Sequence, residues 1–193
     1  MNAPLLLPAP MQGVDADVEA MRLLASLLAY GLLRGPGFRA SVTELMQQRF
    51  GCDQIVVWRV GLGAARHELH CLVERFGAHV AIDPGSVVQV HDMAAYFARL
   101  REGCALYADD GFALRPAAAD AQARLLHPTP AASVLHAAAY CNGHLFGIVC
   151  CGRTNTDRSW DTADRIALKR LANRLTLYAA PRHQLDDPHT CSS

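Results

Sequence analysis

Apolar residues recur at Val14, Val18, Met21, Ala25, Leu28 and Leu32, in steps that alternate between four and three. That repeat lines one face of a helix, expected over 14–34. Leu23, Leu24 and Leu27 widen the stripe. So apolar a helix must pack on two things, its own domain and a second subunit. Arg34-Gly35-Pro36-Gly37 ends it. Ser41-Val42-Thr43-Glu44 has the form of a capping box, which opens a short helix running to Phe50, closed by Gly51.

The pattern then changes to that of strands. Gln54–Val60 is β-branched and aromatic, and Glu68–Phe76 is its hairpin partner across the turn Gly61–Arg66. Asp83-Pro84-Gly85-Ser86 is a further turn. Asp92 precedes a short helix, Met93–Leu100, as its N-cap. Cys104–Ala108 is a short strand. Residues 109–132 form a long connection with an Ala-rich middle, part helix over Ala117–Leu126. A connection of that length inside a compact domain is usually functional or a lid. Ser133–Tyr140 and His144–Arg153 are strands joined at Asn142-Gly143, a strong hairpin signal. Thr162 starts the last helix, which runs to Ala179 with Ile166, Leu168, Leu171, Leu175 and Tyr178 as its buried residues.

Strands that pair through hairpins make a mainly antiparallel sheet, and helices then lie on its faces, giving an α+β domain. The first and last helices are expected side by side on one face. The Asp92 helix and the long connection then cover the other face and enclose a cavity. Residues 1–13 form a flexible arm, 14–180 a single domain with its core at 38–180, and 181–193 a disordered polar tail.

Composition narrows the function. The chain has 193 residues, 51% of them hydrophobic, with 18 basic and 18 acidic side chains and a formal net charge of zero. That balance gives no electrostatic footprint for nucleic acid or an anionic membrane. No apolar run reaches the length of a membrane span. The N-terminal ten residues lack the basic region of a signal peptide, so a cytoplasmic location is expected. Seven cysteines, an odd number, are expected as reduced thiols. None forms a CxxC pair, and the adjacent Cys150 and Cys151 point to opposite faces of a strand, which argues against zinc. The sequence carries no GxSxG, HExxH, Walker A or dinucleotide motif, and the chain is read as a non-enzyme.

Four stretches in order resemble the GAF domain family. Residues 135–164, from Leu135 to Asp164, resemble its closing hairpin, with Phe146-Gly147 and Trp160 in the matching places. Residues 91–110 resemble the helix and strand that border its ligand cavity. Residues 50–60 resemble its first strand, and 67–80 its second. Together they cover residues 38–180. The likeness is to GAF domains of bacterial sensor kinases and second-messenger enzymes, and more distantly to phytochrome chromophore domains. It implies a sensory or regulatory module that binds a small molecule, or only mediates dimers. It implies signalling through the terminal helices Val14–Leu32 and Ile166–Tyr178 to a homodimer mate or partner protein. With no output domain after the last helix, the chain is expected to be a fragment or a regulator acting in trans.

The departures matter. No NKFDE-type set supports a cyclic-nucleotide site of the phosphodiesterase kind. No Cys-His pair is present to hold a bilin, since Leu126 stands where the cysteine would be needed. The spaced cysteines of methionine-sulfoxide-reducing members are absent after Cys104 in the long connection. The resemblance therefore names no cofactor. A thiol-redox sensor using Cys104, Cys141 or Cys150 is a lesser alternative.

Strand alternation puts Val134, His136 and Ala138 on one face of the sheet, with Leu135 and Ala137 on the other. In phytochrome-like members the first of these faces looks into the ligand cavity, and so does the Cys150/Gly152 face of the next strand. Small neighbours would leave room for a ligand beside the His136 imidazole, which can donate and accept hydrogen bonds. The alternative is a satisfied core histidine. Asp92 stands where those members carry an aspartate at the cavity helix, and is either a ligand contact or a plain N-cap. Tyr96, one turn on, lines or fills the cavity. Tyr107 and Asp109 end the next strand, with Asp109 alternatively serving the Asp110-Gly111 turn. His127 reaches in from the lid or sits on a surface loop. Trp58 is core or a ligand platform.

Overall fold

The computed structural model describes residues 14–61, 68–89, 96, 97, 100, 105–108, 125, 131, 133–141, 143–154 and 158–179. Helix α1 (Val14–Ala29) and helix α2 (Gly35–Phe50) precede strands β1 (Gln54–Val60), β2 (Glu68–Phe76), β3 (His79–Ile82) and β4 (Val87–Gln89). Strands β5 (Ala105–Ala108), β6 (Ser133–Cys141) and β7 (His144–Arg153) follow, and helix α3 (Thr162–Ala179) closes the chain. The seven strands make one sheet in the order β3-β2-β1-β7-β6-β5, with β4 also on β2, and its pairings are antiparallel. The architecture is the α+β antiparallel sheet expected.

The helix boundaries differ from expectation. Helix α1 stops at Ala29, and Leu32 is 73% exposed. The Gly-Pro-Gly run does not separate two helices but opens the second. Arg34 is the extended N-cap of α2 and Pro36 falls in its first turn. There a proline gives up an N–H that has no helical partner, and its fixed φ suits the helix. Ser41 and Glu44 are therefore mid-helix and form no capping box; Thr43 Oγ1 donates back to the Ala40 carbonyl. Gly51 does end α2, in the left-handed conformation at φ 56°, with its N–H on the Gln47 carbonyl.

Strands β3 and β4 carry no strong period in sequence. Both are held by the outer edge of β2, β3 along Val73–Phe76 and β4 along Glu68–His70. The turn between them sits beside an irregularity in β2, where the Asp83 N–H donates to the Leu72 carbonyl.

The sheet separates two cores. On the outer face Ile55, Leu135, Ala137, Val149 and Cys151 pack under Met21 and Leu24 of α1, Phe38 and Met46 of α2, and Leu168 and Leu171 of α3. The first and last helices thus share a face, as expected, and α2 joins them. In α3 the buried line includes Ala167, Leu168, Leu171, Ala172 and Leu175; Ile166, expected inside, is 46% exposed. The side chain of Tyr178 lies outside the described residues. On the inner face Val56, Trp58, Leu69, Cys71, Val134, Ala138, Ile148 and Cys150 pack with Tyr96, Phe97, Leu100 and Leu125. Cys150 and Cys151 therefore do face opposite ways.

The end of β7 is tied to α2 and α3 by a buried knot. The Arg153 guanidinium lies 3.4 Å from the centre of the Trp160 ring and donates to the Phe50 carbonyl at 2.6 Å. Asp164, 1% exposed, accepts from Arg158 at 3.1 and 3.2 Å, with Arg153 and Arg49 each 3.6 Å away. The Asp161 carboxylate accepts from the Asp164 N–H at 2.7 Å and caps α3.

Candidate functional site

Three β-strands place the polar groups of the inner face. On β6, Val134, His136 and Ala138 alternate with Leu135 and Ala137, and the register pairs His136 with Cys150 of β7. On β7, Cys150 lies next to Val56 of β1. Small side chains at Ala137, Ala138 and Ala139 let neighbouring elements close tightly on the sheet, and all three are buried.

His136 is 1% exposed. Its Nδ1 is 2.8 Å from the Tyr96 hydroxyl. Its Nε2 is buried and has no hydrogen-bond partner among the described residues. Burial pushes the imidazole down to about 3, so it is neutral through the physiological range. Burial, and then the neighbouring Cys150 thiol, push the Tyr96 phenol well above its ordinary value. The pair is a neutral phenol on a neutral imidazole, in apolar surroundings.

Tyr96 therefore occupies the space beside His136 that the small neighbours were expected to leave open. Trp58 is 3% exposed and its indole N–H donates to the Leu125 carbonyl at 3.0 Å, which ties Leu125 to the inner face. Val134 and Cys150 sit in the same inner cluster. Burial, then Cys71, push the Cys150 thiol up, and burial pushes Cys71 up to about 12. Such thiols are protonated and poor nucleophiles.

The backbone register refines one position. Tyr107 pairs with Leu135, a residue of the helix-covered face, while Leu106 pairs with His136. Asp92, Asp109 and His127 lie outside the described residues. Phe97, Leu100 and Leu125, which complete the inner cluster, carry no signal in the sequence beyond being apolar. Among the described residues no group of three or more His, Cys, Asp or Glu side chains could hold a metal ion. An apolar cavity of about 30 Å³ lies on the opposite face, between Phe38 and Val42 of α2, Val57, Phe146, Val149 and Leu175 of α3. It has room for about one water and is too small for a metabolite.

An antiparallel sheet with α1, α2 and α3 on one face, and Tyr96, Phe97, Leu100 and Leu125 packed on the other, is an α+β fold. The GAF domain family model matches residues 38–178, and the chain belongs to that family. The fold is similar to the phycocyanobilin-bound GAF domain of a cyanobacterial phytochrome, at TM-score 0.68 and 11% identity, covering 90% of this chain and 98% of that one. It is similar to a methyl-accepting chemotaxis protein fragment, at TM-score 0.57 and 16% identity, covering 91% and 94%. It is also similar to the GAF domain of an Acinetobacter phosphoenolpyruvate-protein phosphotransferase, at TM-score 0.60 and 11% identity, covering 92% and 99%. No curated protein matches the sequence. Among the described residues no helix is long and apolar enough to cross a membrane.

Proposed function

We propose that this GAF domain is a sensory module that binds a small molecule against the inner face and reports its presence through α1 and α3 to a dimer mate or partner protein. One observation carries the reading. His136 is fully buried on the face away from the terminal helices, with Nε2 unpaired among the described residues. A buried polar atom without a partner is costly, and a water, an ion or a ligand group can complete it. Val134, Cys150, Tyr96 and Trp58 share the inner cluster on His136's face, and Asp92, Asp109 and His127, outside the described residues, remain candidates; Tyr107, in register with Leu135 of the other face, does not. The domain acts by binding, not by chemistry.

Family membership supports a regulatory role, and the solved relatives of this fold include domains of photoreceptors and a chemotaxis protein. Tyr96, seated on His136, favours a second reading, a ligand-free dimerisation module whose pocket is filled by its own side chains. Burial disfavours Cys150 as a redox thiol; Cys141 is half-buried, and Cys104 lies outside the described residues.

His136→Phe separates the two main readings. Phenylalanine keeps the ring and removes both nitrogens. The sensor reading predicts that a molecule co-purifying with the wild-type chain is lost from the variant, with the circular dichroism spectrum unchanged. Retention of that molecule by a folded variant would place the site elsewhere.

A further inference from the structure

The Tyr96–His136 pair has two protons to place, one on the phenol and one on the neutral imidazole. In the first arrangement the phenol O–H donates to Nδ1, and the imidazole proton sits on Nε2. In the second, Nδ1–H donates to the phenol oxygen, Nε2 becomes a bare lone pair, and the phenol proton needs an acceptor elsewhere. Among the described residues Tyr96 has no other hydrogen-bond partner. The first arrangement leaves one buried polar group unpaired, the second leaves two. Unpaired groups are most costly in a low-dielectric interior, so the first is favoured.

We propose that Tyr96 is the positioning residue that holds His136 as its Nε2–H tautomer, so that the inner face presents a single N–H donor and selects an uncharged molecule bearing a hydrogen-bond acceptor over a divalent cation. The selectivity follows from the same proton count. A metal ion needs the Nε2 lone pair, with the other ring nitrogen donating its proton. That is the arrangement which strands the phenol proton. Charge points the same way. Among the described residues, Val56, Trp58, Val134, Ala138, Ile148 and Cys150 pack in one cluster with Tyr96, and none of these side chains offers a countercharge to an anion or a cation. Trp58 offers no second donor, because its indole N–H is already on the Leu125 carbonyl. The inference rests on the inner face being the ligand site, and it gives that ligand a chemical class.

The test is ring-nitrogen NMR on the ligand-free, full-length chain labelled with 15N-histidine. It reads the tautomer directly and needs no ligand, so its failure is distinct from failure of the sensor reading. The wild type is expected to show His136 protonated at Nε2 and unprotonated at Nδ1, unchanged between about pH 5 and about pH 8. In Tyr96→Phe the proton is expected to distribute over both nitrogens, with the backbone amide spectrum otherwise retained. A proton on Nδ1 in the wild type would overturn the proposal, as would a Tyr96→Phe variant that keeps the full Nε2–H preference. Should the variant fail to fold, the wild-type tautomer and a Co2+ titration still decide. Co2+ alone is expected to leave the His136 ring signals sharp, and their selective paramagnetic broadening would contradict the donor assignment.

Discussion

Gly147 lies in β7 opposite Arg59 of β1, in the interior of the sheet. A Cβ placed on it would run into the Trp58 backbone oxygen and sit 3.3 Å from the Arg59 Cα. Both obstacles are backbone of a central strand, which cannot turn aside as a side chain would. Gly147→Ala therefore forces β1 and β7 apart by about 1 Å, or breaks their ladder locally. Overpacking in a close-packed interior costs typically 1–3 kcal/mol, and a backbone clash belongs at the upper end, about 3 kcal/mol. For a domain of this size that is roughly 6–12 °C in Tm. The displaced residue is Trp58, whose indole N–H holds the Leu125 carbonyl at 3.0 Å, so Leu125 should loosen with it. Urea unfolding gives the stability loss, and hydrogen exchange of the Leu125 region gives the loosening. A midpoint matching wild type to within about 0.5 kcal/mol would refute the reasoning, because it would mean the two strands have room to spare.

Three other outcomes follow from named contacts. Asp164→Asn removes the charge that Arg158, Arg153 and Arg49 surround; it should cost about 3–5 kcal/mol in chemical denaturation, and a loss under about 1 kcal/mol would show that the knot is not a stabilising one. His136 takes a proton at about 3 when folded against 6.5 as an ordinary histidine, so between those values the unfolded chain binds the proton and the folded chain does not. Stability should fall as pH drops through that window, by about 1.4 kcal/mol per unit from this residue, and His136→Gln should have a correspondingly shallower slope; equal slopes would contradict the neutral buried imidazole. Ile166 is 46% exposed on α3, and Leu23 42% exposed on α1. If these helices carry the dimer contact, sedimentation velocity should find a wild-type dimer and an Ile166→Glu monomer, and a wild-type monomer at high concentration would remove the dimer from the account.

Where the sequence placed an element well, local chemistry and tertiary demand agreed. Gln54–Val60 and Glu68–Phe76 are rich in β-branched and aromatic residues and lie in the middle of the sheet. The alternation in Val134–Ala138 assigned each residue to its correct face because β6 is buried on both sides and has one register. Where it did not, a non-local partner decided. His79–Ile82 and Val87–Gln89 are short and partly polar, and they are strands only because the edge of β2 accepts them. Pro36 reads as a breaker from its neighbours alone, yet it suits the first turn of α2. Ile166 is apolar at a plausible helical position, but the contact line of α3 runs through Ala167 and Ala172. At the candidate site, the face of His136 was legible and its partner was not. Tyr96 is 40 residues away, and nothing in either local sequence specifies that its hydroxyl meets Nδ1.

The central claim is that the inner face takes a small molecule. Native mass spectrometry of the chain purified from its own host tests it most directly. The account predicts an added mass that leaves on denaturation and belongs to an uncharged molecule with a hydrogen-bond acceptor. A chain that stays bare, even after incubation with a small-molecule extract of that host, would contradict it and leave the dimerisation module in its place.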